Sequence, residues 1–150
     1  MNFLKKTKLF WLSISLILIF LTMRSIHLPS ILDSLFYYTT EYANLFFKNL
    51  NAVDRKKYLF HEIIDIFLIF NYSLLIYYFS NVISKFNKIF LLPGFFDFIE
   101  TITIILLLCN IIESAPIWLG LVTSFKWLTL IVIIFWFLKD LFIQYVKYKK

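Results

Sequence analysis

Glycine, proline and cysteine are all scarce in this chain, which has two glycines, three prolines and one cysteine among 150 residues. The scarcity of glycine argues against a nucleotide-binding loop, because such loops let a phosphate approach backbone that has no side chains. The single cysteine, Cys109, cannot form an intrachain disulfide, and no CxxC or His/Cys spacing indicates a zinc site. We therefore expect no metal and no cofactor.

Apolar residues are what the chain has in excess. They make up 61% of the sequence, against about 45–50% in soluble domains, and they occur in long runs, which is typical of membrane proteins. The formal net charge is +6. In a membrane protein this charge indicates topology and contact with anionic lipid headgroups rather than nucleic acid, and no nucleic-acid motif is present.

Four apolar stretches predict four membrane-spanning helices, at residues 9–24, 58–82, 91–112 and 117–138. The basic start and apolar run of the first stretch also fit a signal peptide, but no small-x-small cleavage site follows, which favours an uncleaved span. The predicted fold is all-α, a membrane four-helix bundle that forms a single integral membrane domain over residues 1–150.

Residues 31–50 are too polar to span a membrane. Apolar residues such as Leu32, Phe36 and Phe46 recur at roughly helical spacing, with Asp33 and Glu41 among the polar residues between them. We expect an additional amphipathic helix in the first outer loop, lying in the interface or capping the bundle. The alternative is an ordinary loop with a helical turn.

The distribution of lysine and arginine predicts that both termini are cytoplasmic. The short loop between spans three and four has no basic residue, which is typical of the outer side. The long outer segment does contain cations, which weakens the argument without reversing it. The inner flanks hold Lys5, Lys6, Lys8, Lys85, Lys88, Lys139, Lys147, Lys149 and Lys150.

A polar site is predicted where charged residues interrupt spans three and four. Asp97 and Glu100 are three residues apart, hence neighbours on one helix face. Counted from the loop at residues 113–116, Glu100 and Lys126 reach a similar depth of about 15–20 Å. We expect these two to face each other inside the bundle, with Asp97 and Asp65 turned to the same interior. The set is either a ligand or proton site or a structural ion pair.

Span two adds further candidates to this site. His61, Asp65 and Tyr72 share one helix face. His61 begins an HExxD pattern, which provides too few ligands for a metal, so His61 is either a functional group or an ordinary interface histidine. The predicted ligand-binding or buried polar site consists of Asp65, Asp97, Glu100, Lys126, His61 and Tyr72.

Several of these motifs together resemble a group of uncharacterised small bacterial four-span inner-membrane proteins. The resemblance covers residues 58–137 and implies a bacterial inner-membrane location, the four-helix bundle and the Asp97/Glu100/Lys126 set, but no reaction. The chain departs from the group at Thr101, where the group has asparagine. The motifs that carry the resemblance are Tyr58-x-x-His61-x-x-x-Asp65, Tyr72, Tyr77-Tyr78, Leu92-Pro93, Asp97-x-x-Glu100 and Lys126-Trp127.

The chain is also similar, in general features only, to the EXPERA group of sterol-isomerase-like and ligand-binding proteins, which share four spans, a long first outer loop, an acidic second span and a basic tail. This likeness implies a small hydrophobic ligand or an isomerase reaction. The lipid bilayer is the expected partner in every case. Three hypotheses for the function remain: a hydrophobic-ligand binder or isomerase, an ion- or proton-coupled component, and a structural or assembly partner of another membrane protein. The residues leave open whether the protein is an enzyme.

Overall fold

The computed structural model describes residues 3–26, 28, 31–83 and 91–148, and within them the chain forms five α-helices and no strand. This confirms the all-α prediction for the described part. The helices are α1 (Phe3–Ser25), α2 (Thr40–Asn49), α3 (Ala52–Ile83), α4 (Leu92–Leu108) and α5 (Leu119–Tyr148), and a 3-10 turn, Leu32–Ser34, precedes α2.

The four longer helices pack side by side, α1 on α3, α3 on α4 and α4 on α5. Consecutive partners run antiparallel. On α3 and α4, for example, Asp65 pairs with Thr101 and Tyr72 pairs with Asp97, so the residue number rises on one helix as it falls on the other. This arrangement places α4 between α3 and α5, with its polar residues inside.

Two helical segments are long and apolar enough to cross a membrane, Ala52–Tyr78 in α3 and Leu119–Asp140 in α5, as judged over the described residues. The apolar segment Phe10–Ser25 of α1 is shorter, and α4 has 17 residues against the roughly 20 of a typical span. The polar turn expected at residues 84–90 lies outside the described residues.

The helix α3 begins six residues before the predicted position 58. Asn51 precedes its first turn and accepts a hydrogen bond from the backbone N–H of Asp54 at 2.8 Å, while the Asn51 amide donates to the Asp54 carboxylate at 2.6 Å. An asparagine in this position satisfies the unpaired N–H groups of a helix start. The basic cluster at residues 55–57 therefore belongs to the first turns of α3 rather than to the preceding loop.

The helix α4 ends at Leu108, four residues before the predicted end. Asn110 adopts a positive φ of 56°, and Ile111 N–H bonds to the Leu106 carbonyl at 2.9 Å, the Schellman pattern of helix ends. The Arg55 side chain then donates to the carbonyls of Leu107 and Leu108 and to Asn110 Oδ1, at 2.7–2.8 Å. These bonds satisfy carbonyls that a longer helix would have used internally.

The predicted helix over 31–50 is wrong for its first half. Residues 35–39 have no helix, and α2 begins only at Thr40, where the Thr39 hydroxyl accepts a hydrogen bond from Tyr42 N–H at 3.2 Å. Residues 31–39, which contain the 3-10 turn and no α-helix, form a segment that we call the strap. Its carbonyls bond to α5: Trp127 Nε1–H donates to Leu35 O at 2.9 Å, and the Ser124 hydroxyl donates to Phe36 O at 3.1 Å.

Gly120 of α5 allows the strap to approach closely. A Cβ on this residue would lie 1.9 Å from the carbonyl oxygen of Tyr38. Leu32 and Tyr38 of the strap are part of a buried core at this end of the helices. The Leu32 N–H donates to the hydroxyl of Tyr58, at 3.0 Å, inside that core.

Candidate functional site

The buried face of α4 carries the centre of the polar site. Asp97, Glu100, Thr101 and Ile104 recur at helical spacing and are all buried, with Glu100 and Thr101 fully inaccessible to solvent. Because α4 lies between α3 and α5, this face meets side chains from both neighbours. Charged groups in such a position need partners, since burial without compensation is costly.

Lys126 of α5 bridges both acidic residues. Its Nζ lies 2.7 Å from Glu100 Oε2 and 3.0 Å from Asp97 Oδ1, and the lysine is only 7% exposed. The structure thus brings Asp97, Glu100 and Lys126 together, on the facing sides of adjacent antiparallel helices. Both distances are those of close ion pairs between a buried ammonium and two carboxylates.

Three hydroxyl groups complete the shell around the carboxylates. Thr123 Oγ1–H and the Tyr38 hydroxyl donate to Glu100 Oε1 at 2.5 and 3.1 Å, and the Tyr72 hydroxyl donates to Asp97 Oδ2 at 2.8 Å. Each carboxylate therefore receives an ammonium on one oxygen and at least one hydroxyl on the other. Such a network fixes the side-chain positions and, when fully satisfied, makes the core rigid.

Asp65 lies beside this cluster, on α3. Its Oδ2 accepts a hydrogen bond from Thr101 Oγ1 at 2.9 Å, and the residue is 4% exposed. The threonine that departs from the resembled family thus still has a polar role, since it links α4 to the acidic residue of α3. Asp65 also reaches the cavity described below, which Asp97 and Glu100 do not line.

His61 lies one turn before Asp65 on α3 and is 4% exposed. Its Nδ1 lies 3.6 Å from Oε1 of the neighbouring Glu62, which is fully buried. His61 does not join the Lys126 cluster. Across the part of the chain that the structure describes, no three His, Cys, Asp or Glu side chains come together in a group that could hold a metal ion.

Four polar residues of this region were not predicted as site residues. Thr123 had a usable signal, because it lies one helical turn before Lys126, and Thr101 lies one turn after Asp97. Glu62 is adjacent to His61, but its position in the sequence does not indicate that it is buried. Tyr38 had no signal, because it reaches Glu100 from the strap, 62 residues away along the chain.

A partly open cavity of about 480 Å³ lies beside the cluster, between α1, α3 and α5, with the start of the strap as its fourth wall. Ligand pockets occupy roughly 300–1,000 Å³. Its walls are mainly apolar, and a few polar groups converge on it. The lining residues with roles below are Phe20, Arg24, His61, Asp65, Leu68, Lys126 and Leu130.

The arrangement allows two kinds of chemistry. The cluster has two carboxylates around one ammonium, so it can hold or exchange a proton. The cavity, with Asp65 and Lys126 in its wall, can bind an apolar molecule and offer it a charged contact.

Comparisons with known proteins found no family model, no curated protein and no solved structure that matches this chain.

Proposed function

We propose that the protein is a multi-pass membrane protein in which α1, α3, α4 and α5 all cross the bilayer and which binds a small hydrophobic ligand beside its buried polar site. Large apolar side chains on the outward faces support the membrane part. Phe67 of α3 is 63% exposed and Phe135 of α5 is 68% exposed. Soluble proteins rarely expose wide apolar surfaces, whereas such side chains face lipid tails without cost.

The shorter helices fit the same proposal. At 1.5 Å per residue α4 is about 25 Å long, and Leu91 and the apolar residues after Leu108 extend its apolar length. A bilayer accommodates a short span by local thinning at modest cost. The buried charges of α4 face α3 and α5, which is where charged residues of spanning helices are found.

The observation that carries the ligand proposal is the cavity. It is apolar over most of its wall, yet it reaches Asp65, His61 and Lys126. Binding sites for small molecules typically combine such walls with a few placed polar groups. A hydrophobic molecule that carries one polar group matches this distribution.

A structural role for the cluster is the second candidate, favoured by the direct Lys126 contacts with Glu100 and Asp97. A buried ion pair of this kind can specify how helices pack. A purely structural role for the cluster does not account for the cavity, so we place this candidate second. A proton-coupled role rests on the same cluster and would require water between Asp65 and Glu100.

The test uses variants in which a larger side chain fills the cavity. Purified protein in a neutral sugar detergent is titrated with an uncharged fluorescent alkyl probe. Leu68→Trp on α3 and Leu130→Trp on α5 each place a ring in the cavity from opposite walls, and both should weaken probe binding several-fold. Phe67→Trp, on the exposed face of the same helix, is the control and should leave binding unchanged. Unchanged binding in both cavity variants, with helicity and elution volume preserved, would contradict the proposal.

A further inference from the structure

Three cations at one end of the helices have no part in the site described so far. Arg24, Lys56 and Lys57 are exposed, and none of them belongs to an ion pair among the described side chains. Their neighbour Arg55 differs, because its guanidinium binds the end of α4. These three are among the cations that count against the predicted topology, since positive residues favour the cytoplasmic side.

The three cations lie in the cavity or in the hollow next to it. Arg24 lies in the cavity wall itself. Lys56 and Lys57 line an adjoining hollow with Ser25, Ile26 and Phe60, and Ile26 belongs to both spaces. Lys57 is four residues before His61, so it lies one helical turn outward on the same face of α3. The cations therefore form a basic rim, defined as Arg24, Lys56 and Lys57.

Polarity changes along the length of this site. Beyond the basic rim come His61 and Ser34, then Asp65 and Lys126, and Phe20, Leu68 and Leu130 form the apolar remainder of the wall. From Lys57 to Leu68 the distance along α3 is about 16 Å at 1.5 Å per residue. A ligand that matches the site thus has an anionic group at one end and an apolar chain at the other.

We propose that the cavity binds one acyl chain of an anionic phospholipid, whose phosphate is held by the basic rim; this inference rests on the proposed function. Three like charges close together favour an anion between them, and an arginine presents a planar fork that suits phosphate oxygens. Arg24 lies in the last turn of α1, and Lys56 and Lys57 lie in the first two turns of α3, at helix ends where lipid headgroups are expected. The bilayer therefore supplies this ligand without a separate delivery step.

The experiment measures lipid binding by native mass spectrometry on protein purified in a neutral sugar detergent. Dilauroyl phosphatidylglycerol and dilauroyl phosphatidylcholine are compared, because they have the same chains and differ in net headgroup charge. The wild-type protein should retain the anionic lipid preferentially. Replacing Arg24, Lys56 and Lys57 by Gln, singly and together, should lower this preference by about fivefold for each cation removed, while binding of phosphatidylcholine persists. Lys48→Gln, an exposed cation on α2 outside the cavity, should change nothing.

The outcomes separate this inference from the proposed function. A wild-type protein without preference, or a triple variant that keeps it, would overturn the headgroup assignment alone, provided that Leu68→Trp still reduces binding of both lipids. If Leu68→Trp leaves both lipids bound but still weakens binding of the alkyl probe, the lipid inference alone fails; if it weakens neither, both proposals fail. Inorganic phosphate is a third arm. If it alone raises the thermal stability as much as phosphatidylglycerol does, the rim binds a free anion and the lipid proposal is wrong.

Discussion

Lys126 Nζ and Glu100 Oε2 lie 2.7 Å apart, on two antiparallel helices whose connection is only ten residues long, from Cys109 to Trp118. The same ammonium is 3.0 Å from Asp97 Oδ1. The lysine therefore neutralises two carboxylates, whereas each carboxylate has additional hydroxyl donors. Loss of the lysine and loss of one carboxylate should not be equivalent.

The first prediction concerns this asymmetry. Lys126→Met leaves two buried carboxylates without their ammonium and should cost more stability than Glu100→Gln, which leaves Lys126 paired with Asp97. Breaking a buried pair from one side typically costs roughly 3–5 kcal/mol. The double variant should lose less than the sum of the two single losses, because it leaves only the Asp97 carboxylate without its ammonium, whereas Lys126→Met leaves two.

The measurement is a double-mutant cycle on the free energy of unfolding in mixed micelles. Lys139→Met, an exposed lysine further along α5, is the matched control. Additive losses would refute the energetic coupling. If the double variant folds but no longer binds the alkyl probe, the pair contributes to the ligand site; if binding survives, its role is structural.

A second prediction concerns the end of α4. Arg55→Lys keeps the charge but loses the planar fork that binds Leu107 O, Leu108 O and Asn110 Oδ1. Hydrogen bonds from charged groups are worth about 2 kcal/mol, so we expect a clear fall in the unfolding midpoint. Lys56→Ala, at the next position and without an ion pair among the described residues, should have a small effect. Equal midpoints for the two variants would show that Arg55 does not stabilise this helix end.

The third prediction contrasts the two glycines. In Gly120→Ala the new Cβ meets the backbone oxygen of Tyr38 at 1.9 Å, while in Gly94→Ala it meets the Ser73 hydroxyl at 2.1 Å. A substitution can remove the Ser73 hydroxyl, but no substitution removes the backbone oxygen of Tyr38. We therefore expect Ser73→Ala to restore the stability of Gly94→Ala, whereas Tyr38→Phe should not rescue Gly120→Ala.

Thermal unfolding of the single and double variants tests this contrast. A Gly120→Ala protein as stable as the wild type would mean that the strap does not lie against α5 at this position. A Gly94→Ala protein that Ser73→Ala fails to rescue would place the clash elsewhere on α3.

The fourth prediction concerns threading and uses the natural cysteine. Cys109 is exposed in the connection between α4 and α5 and is the only cysteine of the chain. If both termini are cytoplasmic, a membrane-impermeant maleimide should label Cys109 from the outside of intact cells. In Cys109→Ser/Lys150→Cys, labelling should require permeabilised cells. Labelling of both positions from the same side would refute the four-span arrangement.

The helices α1, α3, α4 and α5 follow from local sequence, and so does the shared face of Asp97 and Glu100, because apolar runs and residue spacing act within a single helix. The proximity of Glu100 and Lys126 could be predicted as well, since a short connection makes consecutive helices antiparallel neighbours and equal counts from it give equal depth. Their functional role stays a prediction.

Other features depended on contacts between distant parts of the chain. Apolar spacing alone suggested helix over all of residues 31–50, but Trp127 and Ser124 bind the strap carbonyls from about 90 residues away, and that pairing replaces the helical bonds. The end of α4 likewise depends on Arg55 of α3. The cavity exists only because α1 packs on α3 and α5 packs on α4 with a space left between α1, α3 and α5. By itself the sequence thus determined which segments are helical and which faces are polar, since those are properties of neighbouring residues. Only the tertiary structure decided where helices stop, which hydroxyls reach the carboxylates and where a ligand fits, because these depend on side chains that packing brings together.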